Sequence, residues 1–167
     1  MVHWHAVFTA SRAEKKVRDR LEELGVECFL PVQTVLRQWT YRKSRVVVPV
    51  IAGLVFVRVG RQEQVKVLQT KGVVAFLRLK GEAGAAVIPD KQMEDFRFLL
   101  DFSEEAVEMT NENIKAGDLV RVVKGSLRGM EGELIRHKGV TKVLVRIDML
   151  GCAMVNIPAS FVEKLNK

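Results

Sequence analysis

Apolar and polar residues alternate in WHAVFT, residues 4–9, the two-residue period of a half-buried strand. A helix follows. Ser11 with Glu14 three residues on reads as a capping box, and Val17, Leu21 and Leu24 follow at spacings of four and three, forming one apolar face. Gly25 stands where a left-handed residue ends a helix. ECFLPVQTVLRQW (27–39) and SRVVVPV (44–50) read as strands flanking a polar, basic loop, and AGLVFVRV (52–59) as a further strand rich in β-branched residues. QEQVKVLQT (62–70) predicts a short helix and GVVAFLRL (72–79) a strand. PDKQMEDFRFLL (89–100) predicts a closing helix, with Pro89 at its start and Met93, Phe96 and Leu100 on one face. This order, β-α-β-β-β-α-β-α, predicts an α+β module: a mostly antiparallel sheet with helices packed on one side.

Beyond residue 116 the helical period disappears. DLVRVV, GELIRH, KVLVRID and AMVNIP alternate, separated by glycines or polar residues. Several short strands within about 50 residues predict a small β-barrel, which leaves few exposed edges. Between the two modules lies SEEAVEMTNENIKA, residues 103–116, with four acids, one lysine and scattered apolar residues. Such a run buries little by itself and reads as a flexible, exposed linker, with a short frayed helix as the alternative. The expected division is therefore 1–102, 103–116 and 117–167.

Charge sharpens that division. Residues 1–102 hold 17 Lys and Arg against 11 acids, a net +6; the linker is −3; residues 117–167 hold nine against five, a net +4. Two basic modules on an acidic tether suit an anionic or acidic partner. Arg12, Lys15, Lys16, Arg18 and Arg20 surround the polar sides of the first helix. They read either as a solvated face or as a phosphate-binding one. Arg37, Arg42, Lys43 and Arg45 lie on the loop RQWTYRKSR, interleaved with Trp39 and Tyr41. Cations bind phosphate and rings stack on unpaired bases, so this loop is the stronger candidate for nucleic acid.

The stretch KGSLRGMEG, residues 124–132, suggests a phosphate cradle at first sight. A P-loop needs G-x-x-x-x-G-K-[ST] between a strand and a helix. Here Gly125 and Gly129 are four apart, no lysine follows, and the next segment is a strand. The glycines instead permit the tight turn of a small barrel. No other catalytic set is legible. His3 and His5 share a strand face but have no third metal ligand placed by sequence, His137 stands alone in an expected loop, and no serine or cysteine has a nucleophile context. No cofactor is expected. Cys28 and Cys152 fit no metal or redox spacing and are expected as reduced thiols. Neither a signal peptide nor an apolar run long enough to span a membrane is present, which predicts a cytoplasmic protein.

GDLVRVVKGSLRGMEGELI, residues 117–135, resembles the KOW motif, with Gly125, Gly129 and Gly132 at its glycine positions. The earlier stretches WHAVFTASRAEKKVRDRLEELGVECFLPVQTV, VVVPVIAGLVFVRV, TKGVVAFLR and IPD resemble, in order and spacing, the N-terminal (NGN) domain of NusG-like transcription factors. The resemblance covers nearly the whole chain. It is nearest to the specialised RfaH-like and UpxY-like antiterminators of polysaccharide operons. The family's F-P-G-Y-like element is here Ile51, Ala52, Gly53 and Leu54. The polar His-Thr-Thr-like element of the specialised paralogues is not matched in QEQVKVLQT.

This resemblance implies a non-enzymatic, monomeric factor whose N-terminal domain grips the clamp helices of RNA polymerase and suppresses pausing or termination. Carried over by position, the gripping surface is Phe8, Ile51, Leu54 and Phe56, with a core role as the alternative for each. It also implies contact of the basic loop with nontemplate DNA. The KOW barrel, SH3-like in fold, would recruit a ribosomal protein or a termination factor. A KOW-containing ribosome-associated or RNA-binding protein is the rival reading. Some RfaH-like proteins hold the C-terminal module as a helical hairpin; the strand alternation here predicts the barrel.

Overall fold

The computed structural model describes residues 1–165. Its contacts divide the chain into two compact units, residues 1–34 with 46–90, and residues 35–45 with 91 onward. The first unit holds β1 (His3–Thr9), α1 (Glu14–Glu23), β2 (Glu27–Phe29), β5 (Leu54–Val59), α2 (Glu63–Leu68) and β6 (Val73–Phe76). The four strands pair antiparallel in the order β2-β5-β1-β6. Val55, Val57 and Val59 of β5 pack with Val17 and Leu21 of α1 and Val67 of α2 in one buried cluster. The helices thus cover one face of the sheet, as the alternating pattern predicts.

β3 (Val32–Gln38) and β4 (Lys43–Pro49) form a separate two-stranded ribbon. The stretch 27–39 is therefore two strands and not one. It breaks at Leu30 and Pro31, because proline has no N–H to continue a ladder. Trp39 N–H donates to Arg42 O at 2.7 Å and closes the ribbon's loop.

In the second unit α3 (Asp90–Phe102) buries Met93, Phe96 and Leu99, with Leu99 in place of the expected Leu100. Six strands follow: β7 (Glu108–Thr110), β8 (Asp118–Val122), β9 (Glu131–His137), β10 (Val140–Ile147), β11 (Gly151–Asn156) and β12 (Val162–Lys164). They form one antiparallel sheet in the order β12-β8-β9-β10-β11-β7. The C-terminal module is the small barrel-like sheet read from the sequence.

Two expectations are corrected here. Residues 107–114 are not an exposed tether. Val107 is buried, β7 adds to the sheet beside β11, and Ile114 packs against Leu144, Cys152 and Met154. Too few apolar residues to fold alone suffice once a sheet edge supplies the partner surface. His137 ends strand β9 and is not in a loop; its Nε2 lies 3.2 Å from Glu112 Oε2.

The first helix differs from its sequence reading as well. It starts at Glu14 after Ala13, without a side-chain cap. Arg12 has φ +59°, which breaks the run between Ser11 and the helix, and the Glu14 carboxylate turns elsewhere. Leu24 is exposed, so the buried face is Val17 and Leu21. Gly25 does end the helix, at φ +81°. Neither cysteine forms a disulfide. Burial, helped by the Glu22 charge, pushes the Cys28 thiol up to about 12, so it stays protonated and unreactive at neutral pH.

Candidate functional site

The turn from β4 into β5 carries the candidate apolar contact. Val50 N–H donates to Pro31 O at 2.8 Å and Thr9 N–H to Gly53 O at 2.9 Å. Gly53 takes φ +71°, and its N–H donates to Glu14 Oε2 at 2.9 Å. The carboxylate that reads as half of a capping box therefore holds this turn. The acid is buried, while the Gly53 turn that it holds is half-buried. Glu14→Ala is expected to cost about 1–2 kcal/mol, the loss of a part-buried hydrogen bond to a carboxylate, read as a lower midpoint in urea denaturation.

β1 pairs with β5 so that Phe8 lies opposite Leu54, and Ile51 sits in the adjoining turn. Phe56 pairs with Ala6, further along the strand. The four residues read as a contact surface are thus neighbours, but they are not equally accessible. Phe8 is 39% exposed and Ile51 half-buried, whereas Leu54 is 1% exposed and Phe56 is fully buried. The ring of Phe56 stacks on Phe29 with centroids 6.1 Å apart. β5 is an inner strand buried on both faces, so for Leu54 and Phe56, carried over by position from the resemblance, the structure has the core alternative. Of these four side chains, Phe8 and Ile51 are the two that reach solvent.

The basic residues fall into two patches, each described on its own. On α1, Arg18 pairs with Asp19 and Glu22, and Arg20 donates to Lys71 O at 2.7 Å. Arg12, Lys15 and Lys16 are exposed and make no ion pair among the described residues. On the β3–β4 ribbon, Arg37, Arg42, Lys43 and Arg45 are all exposed. Tyr41 is 96% exposed and Trp39 49%, with the Trp39 indole N–H donating to Ser44 Oγ. That bond fixes the indole while leaving much of its surface open to solvent. Exposed cations beside an exposed ring suit a phosphate backbone with unstacked bases.

In the second unit Gly125 and Gly129 have φ +86° and +97°, in a turn where Gly129 N–H donates to Val122 O at 2.8 Å. A Cβ on Gly132 would press on Leu144 O, 2.9 Å away, and on Val143, so the strand crossing requires glycine. The stretch is a strand-to-strand turn and not a phosphate cradle.

His3 and His5 are neighbours, with ring centroids 6.4 Å apart. His5 is buried, and its Nδ1–H donates to Ala86 O at 2.9 Å. Among the described residues no group of three His, Cys, Asp or Glu is arranged to hold a metal ion, and no helix is long and apolar enough to cross a membrane.

One arrangement escapes the sequence reading. Arg146 Nε and Nη2 donate to Glu133 at 2.6 and 3.0 Å, and Nη2 also donates to Ile114 O at 2.8 Å. Gly117 N–H donates to Glu133 Oε1 at 3.0 Å. Burial pushes the Glu133 carboxyl up, but the bonds from Arg146 and Gly117 and the Arg146 charge together hold it below its usual value. The pair thus binds the end of the acidic segment to the sheet.

The family described as transcription termination factor nusG matches residues 2–97. The chain belongs to the NusG family. That makes it a transcription elongation factor, from a family of non-enzymatic proteins. Its fold also follows that of a solved NusG. A Thermotoga maritima NusG structure, titled for its domain interaction, aligns over 99% of this chain and 98% of its own, at 23% identity and TM-score 0.53. The MjSpt4:Spt5 complex in its conformation B aligns over 100% of this chain and 98% of its own, at 18% identity and a TM-score of 0.33. Comparison with curated proteins gives no match. The NusG match ends near residue 97, and the glycine turn and six-stranded sheet that follow have the form of a KOW module.

Proposed function

We propose that this NusG-family protein binds RNA polymerase through the surface around Phe8 and Ile51 and suppresses pausing or termination, as an operon-specific antiterminator of the kind that serves polysaccharide operons. The observation that carries the reading is an aromatic side chain, Phe8, left exposed beside Ile51 on the sheet of a NusG-family domain. The occupant is the clamp helices, whose apolar surface would cover Phe8. No bond is made or broken: binding energy favours the closed, elongating state of the enzyme it rides on. The exposed β3–β4 ribbon, with Arg37, Trp39, Tyr41, Arg42 and Lys43, supplies a contact for nontemplate DNA, joined by Arg12, Lys15 and Lys16 of the α1 patch. The C-terminal sheet recruits a ribosomal protein or a termination factor. The protein works as a monomer in the cytoplasm.

The test is binding of the full chain to core RNA polymerase of its own organism at about 0.3 M salt, where contacts built on phosphate charge alone weaken by orders of magnitude. Binding is expected to persist and to drop at least tenfold in Phe8→Asp, with the folded state retained because Phe8 is already partly exposed. A chain that ignores polymerase but holds structured RNA at low salt is instead an RNA-binding or ribosome-associated protein.

A further inference from the structure

The acidic segment does more in the C-terminal sheet than a connection requires. β7 runs antiparallel to β11, with Glu108, Met109 and Thr110 opposite Met154, Ala153 and Cys152. Lys142 Nζ lies 2.7 Å from Glu108 Oε2, and the Lys142 side chain is largely covered. Glu112 meets His137, Val107 is buried, and Arg146 holds the Ile114 carbonyl. A Cβ on Gly151 would collide with the Thr110 carbonyl oxygen. The β11 edge therefore carries a glycine where an added strand comes closest.

The seated segment is also replaceable. Its ladder is three residues long, and so short a strand opens readily by comparison with the body of a sheet. What it contributes is generic: backbone hydrogen bonds, one carboxylate for Lys142, and apolar side chains at the places of Val107 and Ile114. An extended acidic chain with apolar residues at those two places offers the same set. The cations around the edge, Lys142 and Arg146, select against a basic strand.

We propose that the β11 edge, with Lys142 and His137 beside it, is a docking site for an extended acidic segment of a partner protein, which adds as a strand in place of residues 107–114. The proposal deepens, and rests on, the reading of the C-terminal sheet as the partner-binding module. Residues 107–114 are its occupant in the unbound chain, so partner capture and release of the acidic segment are one event. A phosphate backbone brings the negative charge but cannot supply the strand.

The probe is a synthetic peptide of residues 103–116, SEEAVEMTNENIKA, titrated into the full-length protein and followed by amide NMR. In the unaltered chain the tethered copy competes at an effective concentration on the order of millimolar, so free peptide binds weakly. Glu108→Lys or Val107→Asp in the chain weakens the tethered copy. Each variant is expected to bind the peptide at least tenfold more tightly than the unaltered chain, with shifts along Gly151–Asn156 and at Lys142. A peptide carrying Lys in place of its second-last glutamate, the Glu108 position, is expected not to bind. The proposal is overturned if neither variant binds the peptide while the β9 and β10 signals stay native. It is equally overturned if, in the unaltered chain, the amides of 108–110 exchange only when the whole sheet unfolds, or if a single-stranded oligonucleotide displaces the segment as well as the peptide does. A chain that docks the peptide yet brings no second protein to polymerase would refute the module reading alone.

Discussion

Leu54→Asp is expected to destabilise the N-terminal unit severely. Leu54 is 1% exposed on an inner strand with both faces covered, and no cation is paired with it. An aspartate there is either a buried charge or a protonated acid without partners. Together with the lost packing, the cost is about 3–5 kcal/mol or more. That is a large share of the ~5–15 kcal/mol that holds a domain together. Phe56→Ala, which removes the ring stacked on Phe29, is expected to cost about 3–5 kcal/mol. Urea denaturation followed by circular dichroism reads both. Phe8→Asp, by contrast, changes the unfolding free energy by no more than about 1 kcal/mol, because the position is already partly exposed. The opposite result, a folded Leu54→Asp protein that only loses polymerase binding, would show that Leu54 is reachable in solution and that the contact surface extends beyond Phe8 and Ile51.

Arg146→Ala frees the acidic segment and destabilises the C-terminal sheet. The substitution leaves Glu133 with the Gly117 amide as its one donor among the described residues and removes the anchor of the Ile114 carbonyl. Breaking a fully buried pair costs about 3–5 kcal/mol; Arg146 keeps roughly a third of its surface exposed, so about 2–3 kcal/mol is expected. Hydrogen exchange at residues 114–117 is expected to accelerate more than at β9 or β10. The same pair sets an acid dependence. The Glu133 carboxyl titrates lower in the folded chain than in the unfolded one. Its contribution is therefore complete above the ordinary carboxylate range and disappears as pH falls through the lowered folded value. Glu108, held low by its hydrogen bond to Lys142, behaves in the same direction, so acid loosens both ends of the segment. Glu133→Gln is expected to flatten that part of the pH profile. A profile unchanged by Glu133→Gln would remove the pair from this role.

Much of this was legible in the sequence because local patterns carried it. The period of two in WHAVFT and KVLVRID, the Val17 and Leu21 spacing, and the glycine that ends α1 are set by neighbours a few residues away. The turn glycines Gly125 and Gly129 belong to the same class, since a positive φ is a property of one residue; Gly132 does not, because the neighbouring strand is what requires it. Where a long-range partner decided the outcome, local pattern was insufficient. Glu14 fits a capping box by spacing, yet its carboxylate reaches Gly53, 39 residues away. Alternation assigned Leu54 and Phe56 a face but not whether that face is covered. The acidic segment looked like a tether because its few apolar residues cannot fold alone, and only the β11 edge makes them sufficient.

The sequence by itself determined the kinds of elements in this NusG-family protein, their order, the positive charge of both modules, and the glycines that its C-terminal turns demand. These follow from periodicity, composition and single-residue sterics. The tertiary structure alone decided which apolar residues remain outside, which carboxylates are held by backbone amides, and that residues 107–114 lie on the C-terminal sheet. Each of those depends on atoms brought together from distant parts of the chain, and burial, hydrogen bonding and ion pairing exist only once they meet.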